Sequence, residues 1–366
     1  MYWLDLETKS QCNLITSGLM AYAIDPTTKL ICMSYALDDG EIKTWFPEDE
    51  PEFPKDVEEY INKGGLLTAH NAQFERYLFD YVIANDFNIK APALTQWHCS
   101  SARAMAHGLP GSLSDICKAM QMPLQKQSEG RRLIRDYCAP DFKTVWVNDD
   151  KQLMQDYCEM DVATMRQFCS CLRELNPAEW EQYHATERMN TRGVPIDLPF
   201  VTAALNYSIE VKADVDGKII KLTDGDVKNA RARKARDEWL MPLLTEKQRK
   251  LLIVNKNGVE KISLDKEHQN YLLACDDLHP KAEKLLMLLA DAGGSASSKF
   301  KAMSNKQVDA RVFNSMVFSG AGATGRFSSR DTQFQNMVRN VFEDPEPLIN
   351  DVLNNRPIEN PADSLG

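Results

Sequence analysis

Hydrophobic and polar positions follow two different periods in the first part of the chain. Residues 2–8 join three apolar side chains to an alternating polar run, which is typical of a buried β-strand. Residues 29–37 have the same character, and residues 42–46 return across a turn as a hairpin partner. Residues 65–70 form a further buried strand in this pattern. From residue 74 to 84 the apolar positions recur every three or four residues, which predicts a helix.

The helical period dominates after Asn176-Pro177. Long helices are predicted over residues 178–191, 198–222, 226–240, 264–274 and 280–291. We therefore expect an α/β domain with a mixed sheet over residues 1–175, a mainly helical domain over 176–320, a short segment over 321–344, and a tail rich in proline, asparagine and acids over 345–366 that is disordered or docks on a partner.

Charge is distributed unevenly along the 366 residues, whose net charge is −10. Residues 1–175 carry 17 basic and 26 acidic side chains, whereas residues 176–320 carry 22 basic and 20 acidic ones. This asymmetry predicts parts with different functions, and bound cations would cancel some of the excess acid at the front. With no run of eighteen apolar residues and no secretory signal, the expectation is a cytoplasmic protein without a membrane contact. The nine cysteines form no CxxC pair and are interpreted as reduced thiols.

Two carboxylates lie at the end of the first predicted strand. Asp5 and Glu7 are two residues apart, so a strand projects both from the same face. Neighbouring carboxylates repel each other unless a cation lies between them, and hard divalent cations prefer oxygen ligands. The pair is thus half of a possible magnesium or manganese site. The alternative is a polar strand end whose acids meet only water.

Further acids arrive later in the sequence. Glu75 follows a predicted strand where it passes into a helix, a common place for active-site residues of α/β sheets. Tyr157 and Asp161 are four residues apart in a predicted helix and therefore share one helix face. The alternatives are an exposed acid at a helix start for Glu75 and an ordinary half-buried tyrosine for Tyr157.

Together these motifs resemble the DEDD exonucleases that have a tyrosine in the third motif. The matching segments are Asp5-Leu6-Glu7-Thr8, Asn71-Ala72-Gln73-Phe74-Glu75 and Tyr157-Cys158-Glu159-Met160-Asp161. Their order and spacing are similar to the 3′–5′ proofreading domain of family A DNA polymerases over residues 1–175. The resemblance implies a ribonuclease H-like fold and two divalent cations, Mg²⁺ or Mn²⁺, at the scissile phosphate.

The same resemblance implies roles for the individual residues. Asp5 would bridge both ions, Glu7 and Asp161 would complete the first, and Glu75 would serve the second. Tyr157 would orient the attacking water, while Thr8 and Asn71 would contact the 3′ end of a DNA strand. One departure is that the family usually has aspartate where this chain has Glu75.

The second half of the chain carries its own resemblance. Thr324-Gly325-Arg326-Phe327-Ser328-Ser329 and Gln335-Asn336, followed by Arg339, are similar to the motif that opens the palm of family A polymerases, and residues 192–197 resemble the segment where the thumb begins. The resemblance implies that Arg326, Gln335, Asn336 and Arg339 face a primer–template duplex. Lys299 and Lys301 follow a glycine- and serine-rich break and are candidate phosphate contacts.

The chain contains none of the later palm and fingers motifs of such polymerases. We therefore expect the proofreading portion of a split or truncated, phage-type replication polymerase. Such a portion cannot polymerise alone and would be completed by a second polypeptide. Two alternatives are a non-catalytic DNA-binding subunit of a polymerase and a DEDD nuclease acting on RNA.

Overall fold

Two compact units make up the chain. A computed structural model describes residues 1–122, 127–256, 259–292, 296–337 and 343–358. The first unit comprises Met1–Ile196 and Asn305–Met337, and the second comprises Asp197–Ser304 and Val338–Gly366.

The regular elements begin with a strand-rich segment. In chain order up to residue 195 they are β1 (Tyr2–Lys9), α1 (Leu14–Ile24), β2 (Lys29–Leu37), β3 (Lys43–Trp45), α2 (Lys55–Asn62), β4 (Leu67–Ala69), α3 (Gln73–Leu78), α4 (Ala84–Phe87), β5 (Trp97–Cys99), α5 (Ser100–Ala106), α6 (Leu113–Ala119), α7 (Gln127–Leu133), α8 (Asp150–Ser170), α9 (Pro177–Arg192) and β6 (Val194–Pro195). Two π-helical turns, Phe79–Ile83 and Ile134–Cys138, continue α3 and α7.

The later elements are mostly helices. They are α10 (Leu198–Leu222), α11 (Arg233–Leu240), α12 (Glu246–Lys250), β7 (Ile253–Lys256), β8 (Val259–Ile262), α13 (Lys266–Leu273), α14 (Pro280–Ala292), α15 (Ala296–Lys306), β9 (Gln307–Val308), β10 (Arg311–Val312), β11 (Met316–Ala321), β12 (Arg326–Ser329) and α16 (Glu346–Leu353). Short 3₁₀ turns lie at Leu94–Gln96, Met241–Leu243 and Phe334–Asn336.

A five-stranded mixed sheet organises the first unit. Its order is β3-β2-β1-β4-β5, with β1 antiparallel to β2 and parallel to β4. The predicted α/β class with a mixed sheet is confirmed. Because β1 is central and covered on both faces, it is buried along nearly its whole length. Its register with β2 shifts between Glu7 and Thr8, which places a local irregularity beside the carboxylates.

The two faces of β1 pack against different clusters. Leu4 and Leu6 belong to the large apolar core of the first unit. Trp3, on the opposite face, packs in a separate cluster with Val162 and Phe168 of α8. Since side chains alternate along a strand, Asp5 and Glu7 share the face of Trp3 and point towards the α8 side of the sheet.

A separate apolar core supports the second unit. Val215 and Ile219 of α10 pack with Leu240 of α11 and with Leu285 and Leu286 of α14. This unit is mainly helical, as predicted, and it includes the antiparallel hairpin β7–β8. Among the helices of the described residues, none is long and apolar enough to cross a membrane.

Several element bounds differ from the sequence prediction. Helix α9, predicted to belong to the helical domain, lies in the first unit because Trp180 and Tyr183 pack into its core. The helix predicted from residue 226 begins only at Arg233. Before it, the side chain of Asn229 accepts a hydrogen bond from the backbone N–H of Arg231 at 3.0 Å, a local turn that competes with helix.

The tail predicted over residues 345–366 contains a helix. Helix α16 packs against α10 of the same unit, and Val352 is buried. Beyond the helix, the backbone N–H of Ile358 donates to the hydroxyl of Tyr207 at 3.0 Å. Leu348, Ile349, Val352 and Leu353 do recur at helical spacing, but the prediction of a tail followed the proline, asparagine and acid content of the surrounding residues. Residues 359–366 lie outside the described part of the chain.

Candidate active site

Strand β1 carries the first two acids into a largely buried setting. Asp5 is 9% exposed and Glu7 is 8% exposed. The thiol of Cys158, on α8, donates to Asp5 Oδ2 at 3.3 Å and approaches the Asp5 main-chain oxygen at 3.4 Å. The thiol of Cys138, in the second π-helical turn, donates to Glu7 Oε2 at 3.7 Å. Each carboxylate of the first motif therefore has one oxygen beside a buried sulfur.

Glu75 enters the same region from the start of α3. It is 3% exposed, and its Oε2 has no hydrogen-bond partner among the described residues. Asn71, at the junction of β4 and α3, adopts φ of +61°. Asparagine tolerates this left-handed conformation better than most residues, and the resulting turn sets the direction in which α3 leaves the sheet.

Helix α8 supplies Tyr157 and Asp161 from one face. A β-carbon at Gly130 would lie only 2.5 Å from Cε2 of the Tyr157 ring, so the absence of a side chain lets α7 pack against the tyrosine. Burial raises the pKa of Tyr157, and the nearby charges of Asp161 and Glu7 raise it further. The phenol consequently keeps its proton and can donate a hydrogen bond at neutral pH.

The acids affect one another electrostatically. Burial raises the pKa of Asp5 well above its usual value. The negative charges of Asp161, Glu7 and Glu75 raise it further, in that order. These shifts mark a concentration of negative charge drawn from β1, α3 and α8.

The pKa values of the other three acids are raised as well. Burial, followed by the charge of Asp161, raises the pKa of Glu7 to about 8, and burial raises that of Asp161 to about 6. The pKa of Glu75 is raised mainly by burial as well. Perturbed carboxylates of this kind cluster at functional sites more often than elsewhere.

The donor set fits hard divalent cations in its chemistry. It consists of carboxylate oxygens, and the orphaned Oε2 of Glu75 is a buried acceptor without a donor. In the described parts of the chain, however, no group of three or more His, Cys, Asp or Glu side chains is arranged to hold a metal ion. The acids are thus electrostatic neighbours that do not form a closed set of ligands.

Thr8 and Asn71, the predicted contacts to a 3′ end, also lie in the first unit. Thr8 is buried, and its Oγ1 shares a hydrogen bond of 2.8 Å with the hydroxyl of Tyr22 on α1. Asn71 is half-buried and lines a cavity of about 280 Å³ together with Phe74 and Lys306.

The remaining predicted DNA contacts lie on other elements. Arg326 is exposed on β12, and Gln335 and Asn336 are exposed on the last 3₁₀ turn. Ser329 Oγ donates to Gln335 Oε1, which ties that turn to the β11–β12 hairpin. Lys299 and Lys301 lie on α15. Arg339 lies outside the described residues.

The sequence did not predict Cys138 and Cys158 as neighbours of the acids, or Gly130 as a neighbour of Tyr157. Each is a single residue without a spacing pattern, so nothing in the sequence distinguishes it from an ordinary packing residue. Cys158 does follow Tyr157 directly, and its helical position one residue further round α8 points towards β1. The position next to Tyr157 is thus a sequence signal for Cys158, but using it requires knowing which face of α8 packs against the sheet.

Comparison with known proteins gives a sequence relative. The chain is similar to a DNA polymerase of Bacillus phage SP02, with 28% identity over 364 residues that cover 95% of this chain and 52% of that protein. It therefore spans about half the length of this relative. The predicted resemblance to a phage DNA polymerase is confirmed by this similarity. No family model matches the chain.

One solved structure resembles the chain more distantly. It is the POL domain of Pol1 from M. smegmatis in complex with DNA primer-template and dNTP. The TM-score is 0.49 at 14% identity, covering 93% of this chain and 53% of that one.

Proposed function

We propose that the first unit is a metal-dependent 3′–5′ DNA exonuclease, the proofreading portion of a DNA polymerase that acts in DNA replication. The observation that supports this proposal best is the convergence of buried Asp5, Glu7 and Glu75 with half-buried Asp161, whose charge raises the pKa of the other three. An uncompensated group of four acids is costly to bury, and cations are the usual compensation.

In this proposal the four acids hold two divalent cations, Mg²⁺ or Mn²⁺. When bound, such ions polarise the scissile phosphate and activate a water for phosphodiester hydrolysis. Because the acids are not arranged as a closed ligand set, their side chains would draw together when cations bind. Glu75, whose Oε2 lacks a partner, gains most from that rearrangement.

Tyr157 acts as a hydrogen-bond donor in the proposal. Its raised pKa keeps the phenol protonated over the whole neutral range, so it can hold a water or a phosphate oxygen beside the acids. Thr8 and Asn71, near the same acids, would contact the terminal nucleotide.

The polymerase relative supports DNA as the substrate, since the resemblance covers 95% of this chain. Exposed Arg326, Gln335 and Asn336, together with Lys299 and Lys301, would contact the phosphates and the minor groove of a primer–template duplex. The same role is proposed for Arg339. Completion of the polymerase by a second polypeptide stays a prediction.

A DNA strand labelled at its 5′ end tests the nuclease. We expect stepwise shortening from the 3′ end only when Mg²⁺ or Mn²⁺ is present, and an RNA strand of the same sequence to be cut more slowly. Asp5→Asn and Asp161→Asn should each reduce the rate by much more than the roughly 10–100-fold typical of losing an outer partner of a metal ligand.

The matched control is Asp156→Asn, an exposed acid of the same helix that pairs with Gln152. It should leave the rate unchanged. Activity that survives both Asp5→Asn and Asp161→Asn would contradict the site assignment, and equal cutting of RNA would favour an RNA nuclease.

A second candidate is a non-catalytic DNA-binding subunit. The observation in its favour is that Glu75 stands where the related nucleases usually have aspartate and that its Oε2 remains unpaired. This alternative is established if the wild-type protein binds DNA without cutting it and the Glu75→Asp variant cuts DNA.

A further inference from the structure

We propose that Cys138 and Cys158 are positioning residues, whose thiols each hold one carboxylate oxygen of Glu7 and Asp5 and thereby raise the affinity of this pair of acids for divalent cations. This inference rests on the proposed function. It assigns these two cysteines, one outside the three acidic motifs and one between Tyr157 and Asp161 of the third, a role in the same site.

The contacts of Cys158 come first. This residue is fully buried on α8, where the helix faces β1. Its sulfur lies 3.3 Å from Asp5 Oδ2 and 3.4 Å from the main-chain oxygen of the same residue. One side chain therefore contacts both the carboxylate and the strand backbone that carries it, which fixes the side chain relative to the sheet.

Cys138 makes the corresponding contact to the other acid. It closes the π-helical turn Ile134–Cys138, and its thiol donates to Glu7 Oε2 at 3.7 Å. This π turn ends α7, since Ala139 beyond it is extended, and so it places Cys138 at the last turn of the helix. Asp5 and Glu7 are thus each contacted by a sulfur from a different element.

The unpaired acid supports this assignment by contrast. Glu75, which has no thiol beside it, keeps a buried oxygen without any partner in the described residues. Neither Asp5 nor Glu7 has such an orphaned oxygen, although both are nearly buried. The thiols therefore satisfy acceptors that would otherwise be unpaired in the protein interior.

The chemistry of a thiol suits this position. A lysine or arginine in its place would pair with the carboxylate and cancel the charge that a cation needs. The S–H group is a weak and neutral donor, so it can orient one oxygen without adding a positive charge that would repel a cation. Outer partners of this kind orient ligands and tune metal affinity in many metal sites.

An ordinary packing role is the alternative, and the chain offers a matched case. Cys169 is also buried on α8, eleven residues beyond Cys158, and packs with Val162 and Phe168. Its thiol makes no hydrogen bond to a carboxylate anywhere in the described chain. Cys169→Ala therefore removes a buried sulfur from the same helix without touching the acids.

The test compares Cys158→Ala, Cys138→Ala and Cys169→Ala in the full chain, with Cys158→Ser as the conservative variant. Calorimetric titration with Mn²⁺ alone measures cation affinity without relying on nuclease activity. We expect the Cys158 and Cys138 alanine variants to bind Mn²⁺ about 3- to 10-fold more weakly, below the 10–100-fold of stronger outer partners because a thiol donates weakly.

Cys169→Ala should bind like wild type, and Cys158→Ser should restore most of the affinity because a hydroxyl also donates. In the infrared spectrum of the metal-free protein, hydrogen bonding moves the S–H stretching band to lower frequency. Other thiols, such as that of Cys275, also donate, so each variant is compared with wild type in a difference spectrum. Cys158→Ala and Cys138→Ala should each lose one shifted band, and Cys169→Ala should lose none.

The outcomes separate this inference from the proposed function. Unshifted S–H bands, or Mn²⁺ affinities equal to that of Cys169→Ala, overturn the positioning role even if the wild type is an active nuclease. Another result is that the wild type binds Mn²⁺ and cuts no DNA, while the Cys158 and Cys138 alanine variants bind Mn²⁺ more weakly as expected. That result supports the positioning role and contradicts the nuclease. A wild type that binds no Mn²⁺ overturns both.

Discussion

The two units of the chain bury different kinds of side chain. The first unit encloses acids within and beside its sheet, including Asp5, Glu7 and Glu75. In the described residues of the second unit, the buried polar side chains are Thr223 and Gln248, and both are hydrogen-bonded. Burying a charge is expensive unless a partner compensates it, as Arg132 compensates Asp150 in the first unit. The comparison distinguishes a first unit that buries acids from a second unit whose described core is apolar.

Removing a core leucine from each unit gives the largest expected effect and tests this division. Leu4 and Leu285 are both fully buried, in the first and second unit respectively. Each change to alanine should lower the free energy of unfolding by about 2–5 kcal/mol, through lost burial and the cavity that remains. At a temperature where both variants are folded, only Leu4→Ala should slow hydrolysis of a short single strand, because Leu4 precedes Asp5 on β1.

Urea denaturation and initial rates measure the two quantities. A Leu285→Ala variant that is folded but as slow as Leu4→Ala would show that the second unit takes part in the chemistry. The comparison between the units would then fail.

Glu75→Met tests whether the buried acids of the first unit lower its free energy of unfolding. With chelator present, replacing a buried carboxylate that has an orphaned oxygen by an apolar side chain of similar length should raise the free energy of unfolding by about 1–3 kcal/mol. Exposed Glu283 of α14 is the matched position in the second unit. Glu283→Met should change stability by less than about 0.5 kcal/mol.

A Glu75→Met variant less stable than wild type would mean that the carboxylate is compensated in the metal-free protein. Thermal and urea unfolding of both variants measure the difference. If Glu75→Met is more stable than wild type but has lost nuclease activity, Glu75 lowers stability and is needed for function.

A smaller effect is expected at Asp150, an acid at the start of α8 that the fold does compensate. It accepts hydrogen bonds from Arg132 at 2.6 Å and from the hydroxyl of Tyr137 at 2.7 Å. The hydrogen bond from Arg132 is the main cause that lowers the pKa of Asp150 to about 2. Asp150→Asn should cost about 1–2 kcal/mol at neutral pH, because the buried tyrosine and the arginine lose a charged acceptor.

The pH dependence of this contribution follows from the direction of the shift. Since the folded pKa lies below the ordinary value of 3.8, the stabilisation is present above that value and is lost as the pH falls towards 2. Unfolding measured from pH 6 to pH 2 should therefore show wild type and Asp150→Asn converging at the acid end. Parallel curves over that range would contradict the assignment.

The sequence predicted most of what hydrophobic periodicity controls. Strand β2 and helix α10 have the predicted bounds, because each carries a long apolar pattern with clear ends. The face shared by Asp5 and Glu7 follows from strand alternation alone. The coupled acids of the three motifs were predicted by order and spacing together with a family resemblance.

What the sequence could not predict depends on contacts between distant segments. The thiols at Asp5 and Glu7 come from residues more than 130 positions away. Helix α9 was predicted from its period, but its place in the first unit depends on where Trp180 packs. The late start of α11 depends on a side chain of Asn229 that competes with the helix for backbone hydrogen bonds.

The π-helical turn Ile134–Cys138 has a consequence for insertions and deletions. A π turn contains one residue more than an α-helical turn, and successive residues of a helix are rotated by about 100°. Deleting one residue from this turn would let α7 continue as an ordinary α-helix and would rotate the residues that follow by that angle. Cys138 would then leave Glu7, although every residue of the three acidic motifs would be intact. Chain length within 134–138 therefore determines whether Cys138 contacts Glu7.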